Sequence, residues 1–185
     1  MYERLWFPTQ IFTRNYLDVP MFTRIYDLLH SFAHATNSYS CMDLGFPLSN
    51  YTISYKLIKR IGFWDTCADA IGEDFHTAQK TYWKTHGEVK MRPIYVCFNQ
   101  VNISTGNGYF SDLSARFWQA ERHAKGVADV AYSLKMLFGQ SFKFKNLVLT
   151  YQILEAFIII AMTPWVMLSL TYQDHILYKY TKPSP

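Results

Sequence analysis

Two short runs in this sequence have the residue types and spacing for chemistry. The first is Glu73-Asp74, preceded by Gly72 and, further upstream, by Gly62-Phe63-Trp64-Asp65. Acidic residues here mark the start of a helix. A carboxylate in a first helical turn sits beside N–H groups with no partner in the helix, which favours its ionised form. Held on a rigid helix start, an ionised carboxylate can take the proton of an attacking hydroxyl. The plain alternative is ordinary helix capping.

The second run is Gln119-Ala120-Glu121-Arg122-His123-Ala124-Lys125-Gly126. Helical positions three and four apart are neighbours, so Gln119, Arg122 and His123 are expected on one face. That face would present an amide, a guanidinium and a ring. A guanidinium suits a diphosphate, gripped through two parallel hydrogen bonds. The His123 ring could stack on a sugar, donate a hydrogen bond or carry a proton. The plain alternative is a solvated polar helix face.

Other chemistries find less support. Cys41, Cys67 and Cys97 are odd in number, widely spaced and without a CxxC pair, and read as reduced, mostly buried thiols. A thiol–imidazole pair of Cys67 or Cys97 with His76 has no local motif behind it. His76 and His86 are too far apart to chelate a metal within one helical turn. There is no Gly-rich phosphate loop of the strand-to-helix kind.

The elements that must position these residues follow from periodicity. Val19 to Phe32 reads as an amphipathic helix with Pro20 in its first turn and Met21, Phe22, Ile25, Leu28, Leu29 and Phe32 on one face. It packs on its own core or lies on a bilayer surface. A loop from His34 to Ser49 follows, then a short strand over Tyr51 to Tyr55 and a helix over Lys56 to Ile61 stopped by Gly62. A second helix is expected from Asp74 to His86, ended by Gly87. Arg92 to Phe98 reads as a strand, and Asp112 to Phe138 as a long helix interrupted at Gly126.

From Leu147 to Leu170 the chain is strongly apolar, and Ala156 to Leu170 carries no charge. At about 1.5 Å per residue, some two dozen residues would cross a hydrocarbon core of about 30 Å. A transmembrane helix is therefore expected, with a buried helix of an ordinary core as the alternative. Lys143 and Lys145 before it place the preceding region on the cytosolic side. The start, Met1 to Gln10, has no apolar stretch of the signal-peptide kind.

The chain has 185 residues, half of them hydrophobic, 18% aromatic and only 17% charged. Such a composition belongs to a large core, a membrane, or a fragment whose missing partner covers apolar surface. The net charge of +4 comes from scattered Lys and Arg, so no nucleic-acid partner is expected.

The order of these pieces resembles processive family-2 glycosyltransferases, the group that includes cellulose, chitin and hyaluronan synthases. That family shows a Gly-Phe-Asp-like turn, Thr-Glu-Asp opening a helix, a strand, Gln-x-x-Arg-Trp with a following Gly, and then membrane helices. Here the series runs through Ser49 to Asp65, Glu73-Asp74, Pro93 to Phe98, Gln119 and Arg122 with Gly126, and Leu147 to Leu170. It covers about two-thirds of the chain.

The resemblance implies an α/β fold: a partial GT-A-like, acceptor-side domain at residues 49–140. An N-terminal helix and loop at 1–48 precede it, and a membrane helix with a tail at 141–185 follows. It implies inverting transfer from a nucleotide-sugar to a saccharide acceptor, with Asp74 as general base, Glu73 supporting it, and Gln119, Arg122 and His123 binding substrate. His123 stands where the family has Trp, and Gly72 where it has Thr. The family's Asp-x-Asp metal element does not occur in the chain. A divalent cation, Mg or Mn, is therefore expected only with a missing N-terminal half, and the chain is expected to be inactive alone or to serve as a non-catalytic, membrane-associated binding module.

Overall fold

The computed structural model describes residues 4–38, 42–65 and 72–158. A three-stranded sheet is ordered β2-β1-β3, with β1 at Arg4–Phe12, β2 at Thr52–Ile53 and β3 at Lys90–Gln100. β1 runs antiparallel to β2 and parallel to β3. The sequence reading contained no strand at β1, yet it is the central one. Its buried Leu5 and Phe7 alternate with less buried neighbours, as a strand covered on one face requires. The register with β3 slips between Pro8 and Thr9. Pro8 has no N–H to give to the ladder, which makes it a natural place for an irregularity.

Helices make up most of the rest. α1 spans Met21–Ser38, α2 Tyr55–Ile61, α3 Glu73–Lys84, α4 Tyr109–Ala124 and α5 Ala128–Gly139; residues 144–158 are helical and form α6. α2 starts where Ser54 accepts a hydrogen bond from the Leu57 N–H and ends at Gly62 in the left-handed conformation. The long helix expected from Asp112 to Phe138 is two helices joined by a short 3-10 turn, Lys125–Val127. Gly126 in that turn is buried, and a Cβ there would lie 3.1 Å from the Phe157 ring. The missing side chain lets α6 come close.

The core gathers Leu5 and Phe7 of β1, Leu44 and Phe46, Leu57, Ile58 and Ile61 of α2, Ala78, Tyr82 and Trp83 of α3, Val89, Met91, and Leu149 and Ile153 of α6. The last two overturn the expected membrane segment. Among the described residues, no helix is long and apolar enough to cross a membrane. Residues 147–158 of the expected span belong to α6, whose Leu149 and Ile153 are fully buried in this core. Polar neighbours serve the packing too. Asn146 accepts a hydrogen bond from the Tyr82 hydroxyl at 2.8 Å, and Thr150 shares one with Ser133 at 3.0 Å. Residues 159–170 of that span lie outside the described residues. Among the described residues the fold is thus a mixed helix-and-sheet domain with no membrane-spanning helix, which corrects the expected partial GT-A-like domain followed by a transmembrane helix. The apolar run was long enough to span, but at its start it fills a core.

α1 is inverted relative to the usual pattern. Thr23, Asp27, Ser31, His34 and Ser38 are buried, whereas Met21, Phe22, Leu28, Leu29 and Phe32 are exposed. Hydrogen bonds to β1 explain the inward polar face. The Gln10 N–H donates to His34 Nδ1 at 2.9 Å, the Phe12 N–H to the Ser31 hydroxyl at 3.2 Å, and the Thr9 hydroxyl to that of Ser38 at 3.0 Å. With Nδ1 accepting, His34 presents Nε2 to the Phe46 carbonyl at 3.2 Å, the arrangement of a neutral ring.

Candidate functional site

The start of α3 carries the first candidate group. Gly72 has φ +85, and Glu73 and Asp74 occupy the first turn, as the sequence suggested. Asp74 Oδ1 accepts the Phe75 N–H at 2.7 Å. Burial nevertheless raises the Asp74 carboxyl above its ordinary value; the backbone N–H opposes this, and the nearby Glu73 and Asp129 charges reinforce it. Desolvation outweighs the helix N-terminus, the reverse of the expectation from spacing. A carboxyl raised toward neutrality is a stronger base when ionised. Glu73 is exposed.

Beside it lies an imidazole between two carboxylates. His76 Nδ1 is 2.6 Å from Asp129 Oδ1, and its Nε2 is 3.1 Å from Asp65 Oδ2. The hydrogen bond to Asp129, above all, raises the His76 pKa against the effect of burial. Asp65 is held in turn by Lys80, whose ammonium donates to Asp65 Oδ1 at 2.6 Å and to the Phe63 carbonyl at 2.9 Å. That hydrogen bond from Lys80 is the main reason the Asp65 carboxyl lies below its usual range. The Tyr132 ring packs 4.8 Å from the His76 ring, centre to centre. Lys84 donates to the Ile61 carbonyl at 2.8 Å, so two α3 lysines hold the carbonyls that end α2.

The second candidate group lies on α4. Asp112 fixes the start of this helix by accepting the Thr105 N–H and hydroxyl and the Ser104 hydroxyl. Downstream, Gln119 and His123 are half-buried, while Arg122 is exposed. Gln119 Oε1 accepts from Arg116, the His123 ring lies 6.2 Å from that of His30, and Arg116 bonds Asp27. The Arg116 guanidinium also lies 4.0 Å over the Tyr26 ring. Burial pushes the Asp27 carboxyl up to about 6 despite Arg116, and pushes His30 down to about 4. The His123 ring is lowered as well, first by burial and then by Arg116 and Arg122.

The structure therefore sets His123 beside His30 of α1, ties Gln119 to Arg116 on its own helix and turns Arg122 outward. Asp74 belongs to the other cluster, against α5. No hydrogen bond or ion pair links Asp74 or Glu73 to Gln119, Arg122 or His123 among the described residues. Spacing along the chain pointed to Asp65 and considered His76 but did not join them to each other or to Lys80 and Asp129, and it missed Asp27, His30 and Arg116 in the other cluster. His76 stands only two residues after Asp74, and Arg116 three before Gln119. Their partners, however, come from distant segments.

The described residues gather no group of three or more His, Cys, Asp or Glu side chains disposed to hold a metal ion. Cys97 is a free, exposed thiol on β3, not the buried one its composition suggested; Cys41 and Cys67 lie outside the described residues. Comparison with protein-family models, with curated proteins and with solved structures finds no match to this chain.

Proposed function

We propose that the chain is part of a membrane-associated, family-2-like glycosyltransferase that transfers a sugar with inversion from a nucleotide-sugar to a saccharide acceptor. The observation that carries the reading is the half-buried Asp74 carboxyl in the first turn of α3, where its Oδ1 accepts the Phe75 N–H at 2.7 Å, within the ordered motif series of the sequence. In this reading Asp74 removes the proton from the attacking acceptor hydroxyl. Arg122, exposed on α4, is the residue free to meet a diphosphate. A donor-side half supplies the remaining nucleotide and cation contacts. Association with lipid is assigned to α1, through the outward Met21, Phe22, Leu28, Leu29 and Phe32. The region lies on the cytosolic side.

A polypeptide that includes the donor side is assayed for sugar transfer, with and without Asp74→Asn. Loss of a general base costs about a hundred- to ten-thousand-fold in rate. Equal rates for the two proteins would remove Asp74 from the mechanism.

One observation favours a second reading, a non-catalytic binding module of the same origin. Gln119 and His123 are engaged with Arg116 and His30 inside the fold and are not displayed outward. Turnover of a nucleotide-sugar by the 185-residue chain itself would exclude it.

A further inference from the structure

His76 touches a carboxylate at each ring nitrogen: Asp129 at 2.6 Å and Asp65 at 3.1 Å. A neutral imidazole has one N–H donor and could satisfy only one of them. The Asp129 contact is a hydrogen bond and the Asp65 contact an ion pair, and a doubly protonated ring would serve both. Every element packed on the ring contributes. Asp65 comes from the segment after α2, with Lys80 bonded to it and Lys84 close by. Asp129 and Tyr132 come from α5. Asp74 and Glu73 share the first turn of α3 with His76, whose own N–H donates to the Gly72 carbonyl at 3.0 Å.

We propose that His76 is the positioning residue for Asp74: an imidazolium pinned between Asp65 and Asp129 that locks the first turn of α3 to α5 and neutralises the Asp129 carboxylate facing that turn. Residues two apart on a helix do not face each other, so His76 acts on Asp74 through Asp129 and the shared turn and not by direct contact. Asp129 is buried, and its negative charge adds, after burial and the Glu73 charge, to what hinders ionisation of Asp74. An imidazolium bonded to Asp129 offsets that charge and keeps Asp74 ionisable. The assignment of a catalytic purpose to this coupling rests on the reading of Asp74 as the base; the coupling itself does not.

The test is an NMR titration of the isotope-labelled 185-residue chain, following the His76 ring nitrogens and the Asp74 carboxyl carbon. Both ring nitrogens are expected to be protonated at neutral pH. His76→Gln removes the cation and is expected to raise the Asp74 midpoint by about half a pH unit or more, and Asp129→Asn to lower it by a similar amount. The double variant returns it toward the parent value. A structural role alone would change thermal stability and leave these opposed shifts absent. A singly protonated His76 ring at neutral pH, or an Asp74 midpoint that Asp129→Asn leaves in place, overturns the proposal; both measurements remain if His76→Gln fails to fold. Sugar transfer is measured separately in the longer polypeptide. Opposed shifts with full transfer by Asp74→Asn would sink the function and leave the coupling standing.

Discussion

Arg116 on α4 bonds Asp27 on α1 in a buried contact between residues 89 positions apart in the chain. The pair occupies the polar seam between two helices whose outer faces carry exposed apolar side chains, Phe22, Leu29 and Phe32 on one and Phe117 and Trp118 on the other. Such a pair offsets two desolvation costs only while both partners are present. Arg116→Met should therefore cost about 3–5 kcal/mol at neutral pH, as expected when a buried charge loses its partner. Arg116→Met combined with Asp27→Leu should recover much of that loss. Urea unfolding of the two variants and the parent chain checks this, and equal losses in the single and double variants would argue against a paired contact.

The histidines of these two helices set an acid limit. His30 is pushed down to about 4 by burial, and His34 and His123 are lowered for the same first reason. A ring held below its unfolded value favours folding when neutral. That stability is present above about pH 6.5 and is lost as pH falls toward 4. Asp27, pushed up to about 6, works in the opposite direction: its contribution grows as pH falls through 6. Within these two helices, three rings against one carboxyl favour pH 7 over pH 4.5, while His76 and Asp74 work the other way. In His30→Gln the acid loss should be smaller, as read from melting temperature against pH.

His76 gives the opposite signature. Its pKa is raised, so the stability it contributes is complete below the unfolded imidazole value of about 6.5 and disappears as pH rises through the higher folded value. His76→Gln should lower stability at pH 6 more than at pH 9. A uniform loss across that range, in denaturant melts, would count against a charged ring.

Asp74 is held raised by burial, so its ionised form destabilises the fold above that raised value. Asp74→Asn removes the charge and keeps an oxygen for the Phe75 N–H. The variant should be more stable than the parent at pH 8 and closer to it at pH 4, while losing transfer in the longer polypeptide. A fall in stability at pH 8 would mean that the carboxylate is welcome where it sits.

Leu149 and Ile153 distinguish a core helix from a lipid-facing one. Both are fully buried among residues of β1, α2 and α3. Leu149→Ala or Ile153→Ala should destabilise the domain by about 2–5 kcal/mol. An unchanged midpoint of unfolding would return these residues to a separate segment.

Much of the local structure was legible in the sequence because it depends on near neighbours. The Gly62 stop, the acidic first turn of α3 and the break at Gly126 each follow from backbone chemistry within a few positions. Three things did not follow. β1 combines Pro8 with polar Gln10 and Thr9, and only pairing with β3 makes it a strand. α1 has a clean apolar stripe, yet hydrogen bonds from β1 and the ion pair to Arg116 draw its polar side inward. Residues 147–158 are apolar enough to suggest a membrane, and burial of Leu149 and Ile153 in the common core makes their inner side core.

The sequence by itself determined which side chains could do chemistry and which of them open or close helices, since capping and helical spacing act over a single turn. Tertiary structure alone decided their company. Asp129 reaches His76 across 53 positions and Asp27 reaches Arg116 across 89. Whether a carboxyl is stabilised or strained depends on such distant charges and on burial, and neither is encoded in the spacing between neighbours.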